Sequence, residues 1–99
     1  MNEALMRIIG LATRAGKLEV GEGKTEDRVN HGKSKLVIVS LDASKNTVKK
    51  FENICRKNGV CVIRAGEREI LGKYTGRETA VVLTVSDEGF ANRMKELAN

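Results

Sequence analysis

Along this chain the apolar positions switch repeatedly between a helical period and unbroken runs. Leu5, Ile8, Ile9 and Ala12 recur at helical spacing, with Arg7 and Arg14 off that stripe. Ala15-Gly16 closes the segment, which predicts an amphipathic first helix. Lys17-Leu18-Glu19-Val20 then alternates polar with apolar between glycines, the signature of a short strand. A polar, glycine-opened helix is expected from about Gly23 to His31, with Val29 on its apolar side. Residues 36–40, 60–63 and 80–85 are apolar at nearly every position, so each is predicted to be a strand covered on both faces.

Between the first two of these strands, Ser44 is placed to cap a helix running to about Asn58. In it Val48, Phe51, Ile54 and Cys55 share a face, and Gly59 supplies the left-handed exit. Residues 67–71 predict a short helical turn ending at Gly72, and residues 73–78 a polar loop. Ser86 is expected to cap the last helix, with Phe90, Met94 and Leu97 inward. Strands and helices therefore alternate, and two strands flanking a helix make a βαβ unit with a right-handed crossover. The α/β architecture that buries three apolar strands is a three-layer α-β-α sandwich.

Ninety-nine residues, 40% hydrophobic and 31% charged, with no proline, predict one domain over residues 1–99 that buries roughly two thirds of the unfolded chain's surface. No apolar run approaches the ~20 residues that span a bilayer. The amino-terminus lacks the basic start, apolar middle and small-residue cleavage site of a secretory signal. A cytoplasmic, monomeric protein with no membrane partner is expected. Cys55 and Cys61 are expected to be buried, reduced thiols. With His31 the lone histidine, there are too few soft ligands for a structural zinc, and neither metal nor cofactor is predicted.

Charge changes the picture next. The net +5 and pI near 9.5 suit nucleic acid, an anionic membrane surface, or solubility alone. The charges are spread along the chain, so any basic surface must be assembled by folding. Lys45, Lys49, Lys50, Arg56 and Lys57 share the polar face of the helix after Ser44, as a solvated face or an RNA contact. Gly21-Glu22-Gly23-Lys24-Thr25 invites comparison with a nucleotide-binding loop, but Leu18 stands where that motif needs its first glycine. What survives is a helix start whose free N–H groups, with Lys24 and Thr25 alongside, suit a phosphate.

Catalytic groupings are thin. His31 reads as a helix-end polar residue or an RNA contact, and Asp87 and Glu88 stand in a helix's first turn, where negative charge is favourable anyway. No catalytic residue is assigned. Phe51, Tyr74 and Phe90 are the only aromatics, and none falls in a predicted strand, which excludes a stacking sheet platform. Tyr74 remains either a base stacker or a partly buried loop anchor.

Residues 21–44 resemble the kink-turn-binding ribosomal protein family named L-seven-Ae, whose relatives include L-thirty-e. The pattern is a glycine before the helix, Val29, Gly32, Ser34-Lys35-Leu36-Val37-Ile38-Val39 and the Asp42-Ala43-Ser44 turn. Leu71-Gly72 and Gly76-Arg77-Glu78-Thr79-Ala80 are similar to the family's second RNA loop. Gly10-Leu11-Ala12-Thr13-Arg14-Ala15-Gly16-Lys17 and Gly89-Phe90-Ala91-Asn92 resemble its bacterial YlxQ-type members. The resemblance implies an α-β-α sandwich around a four-stranded mixed sheet, and a partner that is ribosomal or another structured RNA, with possible ribosomal association. RNA would be held by the start of the second helix and the loop before the last strand.

The family's Asn-Glu-x-x-Lys pattern, which reads tandem sheared G·A pairs, falls on Gly23, Lys24 and Asp27. Its second-loop glutamate is flanked by apolar residues, whereas Glu78 lies between Arg77 and Thr79. The expected RNA-binding residues are Gly21, Gly23, Lys24, Thr25 and Arg28, with Lys73, Arg77 and Glu78. Arg14, Lys17, His31 and Lys35 complete the set.

Overall fold

The structure, a computed structural model, describes residues 2–98. Its elements are α1 (Glu3–Arg14), β1 (Leu18–Val20), α2 (Glu22–Asn30), β2 (Leu36–Val39), α3 (Lys45–Asn58), β3 (Val62–Arg64), α4 (Arg68–Thr75), β4 (Val82–Val85) and α5 (Glu88–Ala98). The strands form one sheet in the order β1-β4-β2-β3. β4 runs antiparallel to both β1 and β2, and β3 runs parallel to β2. The expected four-stranded mixed sheet is present, with the parallel pair joined through α3.

Alternation along the two central strands sorts the core into two halves. Leu36, Ile38, Leu83 and Val85 point to one face, where they meet Leu5, Ile9, Leu71 and Met94 from α1, α4 and α5. Val37, Val39 and Val82 point to the other, against Val29 of α2 and Phe51 and Cys55 of α3. The period of two explains why every position of β2 and β4 is buried. Thr84 is the polar exception, and its hydroxyl donates to Ser34 Oγ at 2.8 Å.

Four expectations are corrected. β3 begins at Val62 and is only partly covered, because it is an edge strand that pairs with β2 alone. Cys61, just before it, is exposed, whereas Cys55 is buried as expected. The last helix is capped by Asp87 and not by Ser86: Asp87 Oδ2 accepts from Phe90 N at 2.8 Å.

The largest change is at α4, which does not stop at Gly72. It runs on through Lys73 and Tyr74 and leaves at Gly76, in a left-handed conformation. Gly72 serves a different purpose there. A Cβ on it would lie 2.7 Å from Glu78 O, 2.7 Å from the Thr79 Cα and 2.8 Å from Arg77 O, so the returning loop lies directly on the helix.

Candidate nucleic-acid interface

Antiparallel pairing determines what meets at one end of the sheet. β1 ends where β4 begins, and the Gly21 N–H donates to Val82 O at 2.9 Å. On the other side of β4, the Ser40 N–H donates to Val81 O at 2.8 Å. The start of α2, the loop of residues 76–81 and the turn after β2 are thus gathered together.

Gly21 turns the chain into α2 with φ 130°, a conformation that L side chains rarely adopt. The first intrahelical bond runs from Thr25 N to Gly21 O at 3.0 Å, so the N–H groups of Glu22, Gly23 and Lys24 precede it. No side chain caps this end. A Cβ on Gly21 or Gly23 would meet nothing within 4 Å, which leaves the backbone open to close approach. Unpaired N–H groups and the positive end of the helix dipole together suit an anion.

The cations around this start are held unequally. Lys24 is well exposed, with its ammonium 4.0 Å from Glu19 Oε2. Arg28 is tied at 2.8 Å to Glu19 and at 2.9 Å to Asp27, and the Glu19 carboxylate raises its pKa first among several causes. Asp27 also lies 3.3 Å from His31 Nδ1. Thr25, expected alongside the phosphate, is instead fully buried, and its hydroxyl has no hydrogen-bond partner among the described residues. It lies on the buried face of α2 with Val29 and does not face solvent.

Arg77 and Glu78 are exposed on the loop over Gly72, and Lys73 is exposed on α4. Lys73 and Arg77 form no ion pair among the described residues. A brace fixes the neighbouring turn: Asp42 accepts from the Arg68 backbone N–H at 3.1 Å and from its guanidinium at 3.2 Å. Partial burial opposes the charge of Asp42, yet its hydrogen bonds, those from Arg68 included, hold the carboxyl below its ordinary range.

The remaining expected residues lie elsewhere. Lys17 precedes β1 and Lys35 precedes β2, and their backbones flank the end of β4 through Ser86 N to Lys17 O at 2.9 Å and Lys35 N to Val85 O at 2.7 Å. His31 ends α2 on that same side. These three occupy the opposite end of the sheet from Lys24. Arg14 lies at the end of α1, beside Tyr74 of α4. Sequence reading missed Glu19, whose carboxylate gathers Lys24 and Arg28; its only signal was a charged residue at the outward position of a short strand.

A profile of the ribosomal protein L7Ae/L30e/S12e/Gadd45 family matches residues 3–95. The chain belongs to that family. It is similar to the RNA-binding protein YlxQ of Bacillus subtilis, with 38% identity over 90 residues, covering 91% of this chain and 90% of that one. The RNA-binding protein YlxQ of Enterococcus faecium is 41% identical over 93 residues, covering 93% and 88%.

Among solved structures, a Bacillus halodurans protein described as of unknown function superposes with a TM-score of 0.92 at 35% identity, over 95% of both chains. The 15.5kD RNA binding protein of Giardia lamblia superposes with a TM-score of 0.82 at 22% identity, over 95% of this chain and 81% of that one. That second likeness concerns the fold alone. Among the described residues, no helix is long and apolar enough to cross a membrane.

Proposed function

We propose that this chain is a non-enzymatic RNA-binding protein of ribosomal-protein type that acts as a cytoplasmic monomer on ribosomal or other structured RNA. The observation that carries the reading is the uncapped, open start of α2 beside the beginning of β4, the strand that the Arg77-bearing loop enters. Family membership and the YlxQ relatives support the RNA as partner. Backbone N–H groups of residues 22–24 receive a phosphate, Lys24 and Arg77 neutralise its neighbours, and the rigid sheet end sets the spacing between them.

Phosphate contact dominates base reading at this site. Gly23 offers no side chain to a G·A pair, and Asp27, one helical turn from Gly23 and Lys24, puts a negative charge on the same face. The test is affinity for a kink-turn RNA and for the same RNA with its sheared G·A pairs replaced. Both are expected to bind, with the intact motif favoured by less than tenfold, or about 1.4 kcal/mol. Binding of neither RNA overturns the reading and moves a protein partner to the front.

Asp27→Lys is a sharper probe of the same face. It removes the acceptor that Arg28 and His31 share and adds a cation where the RNA lies. RNA affinity is expected to rise severalfold in an equilibrium titration; no gain would place Asp27 outside the interface.

A further inference from the structure

Beside α4 lies a shallow cleft of about 220 Å³ that the interface at α2 does not use. It is lined by Arg7, Gly10, Leu11, Arg14 and Tyr74. Leu11, on α1, is one of two large hydrophobic residues left exposed among those described, at 47%. Tyr74 is half-buried against the core through the same helix pair. Gly10 forms the floor, where a Cβ would stand 3.5 Å from Tyr74 O and 3.8 Å from its ring. Its absence keeps the face of α1 low beside the tyrosine.

The charged side chains lining the cleft have one sign. Two guanidiniums line it and no carboxylate does. Arg14 has no ion-pair partner among the described residues, and Arg7 has only an exposed, 3.8 Å contact to Glu3. Exposed Lys73 adjoins Tyr74 in sequence, and the Arg77 loop begins two residues further on. An aromatic ring, an apolar side chain and flanking cations are the parts of a site for an unpaired nucleotide: the base stacks and the phosphates meet the guanidiniums.

We propose that this α1–α4 cleft holds a single-stranded nucleotide that extends from the RNA bound at α2, with Tyr74 and Leu11 against the base and Arg7 and Arg14 on its phosphates. The proposal rests on the RNA-binding reading above and extends it to a second contact on the same RNA. The Arg77 loop follows directly on the helix that carries Tyr74, so we take the occupant to be part of that RNA, which gives Arg14 a role away from the start of α2.

The test compares one kink-turn hairpin with the same hairpin carrying a short single-stranded adenylate extension. The full-length protein is titrated with each RNA. Because Tyr74 is the sole tyrosine and the chain has no tryptophan, tyrosine emission reports on the cleft alone. The extension is expected to quench that emission and to tighten binding by at least about fivefold, the lower end of what one stacked base contributes. Leu11→Glu, at an exposed position, should abolish the gain and leave hairpin affinity within twofold. Tyr74→Phe should keep the gain, which separates stacking from loss of fold.

Equal affinity of wild type for both RNAs, or an undiminished gain in Leu11→Glu, overturns the cleft proposal whatever the absolute affinity. The two readings fail separately. If Lys24→Ala with Arg77→Ala leaves hairpin binding intact while the extension still tightens it, the α2 site is wrong and the cleft contact extends from RNA held elsewhere on the protein.

Discussion

Thr25 separates a residue type that suits phosphate from a side chain that reaches it. Its position one turn into a glycine-opened helix fits anion binding, but helical rotation turns its hydroxyl inward, where it finds no partner among the described residues. A buried hydroxyl without a hydrogen bond costs roughly 1–3 kcal/mol. Thr25→Val, which keeps the shape, is therefore expected to melt no lower than wild type and up to several degrees higher, with RNA affinity unchanged. Loss of affinity with stability intact would return the hydroxyl to the interface.

The cysteines follow similar logic. Burial pushes the Cys55 thiol up to about 11, while Cys61 is exposed. Labelling of the folded protein at pH 8 is expected to modify Cys61 promptly and Cys55 only on unfolding. The sign for stability follows from the raised value: unfolded Cys55 ionises near its ordinary pKa while folded Cys55 keeps its proton. Its contribution is full below pH 9 and declines as pH rises toward 11.

At the scale of elements, α4 and its loop act as one unit. The loop bearing Arg77 lies on the bare backbone of Gly72, with three main-chain atoms of the loop within 2.8 Å of where a Cβ would stand. Main chain gives way less readily than a flexible side chain, so Gly72→Ala must lift the loop. Overpacking costs about 1–3 kcal/mol, and alanine returns at most ~1 kcal/mol of helix propensity. A net loss of about 1–2 kcal/mol is expected, at roughly 4–8 °C of Tm per kcal/mol, together with weaker RNA binding. An unchanged Tm would show that the loop is free to move off the helix.

Periodicity could not have shown this, because a helix-ending glycine and a close-approach glycine look alike in one dimension. The same limit hid the edge position of β3: an apolar run reads as buried until strand order is known. β2, β4 and the caps at Ser44 and Gly59 were legible because their causes are local. The partners of Arg28 and Lys24 were not, since Glu19 reaches them only after β1 and α2 pack together.

Over the whole molecule, folding divides one list of candidate residues into three places. Gly21, Gly23 and Lys24 share an end of the sheet with the Arg77 loop, Lys17, His31 and Lys35 occupy the other end, and Arg14 borders the α1–α4 cleft. A net charge of +5 is thus spread around the sandwich, and non-specific attraction to RNA from any side is expected. What distinguishes the start of α2 is open backbone at the sheet end where the loop of Arg77, which forms no ion pair among the described residues, enters β4.

The most direct test is therefore a salt series on a kink-turn RNA with wild type and with the Lys24→Ala, Arg77→Ala double variant. Phosphate contacts contribute a slope of roughly −0.7 to −0.9 each in log affinity against log salt. The variant is expected to bind more weakly, with a slope shallower by about 1.4–1.8. The same affinity and the same slope in both proteins would contradict RNA binding at this end of the sheet.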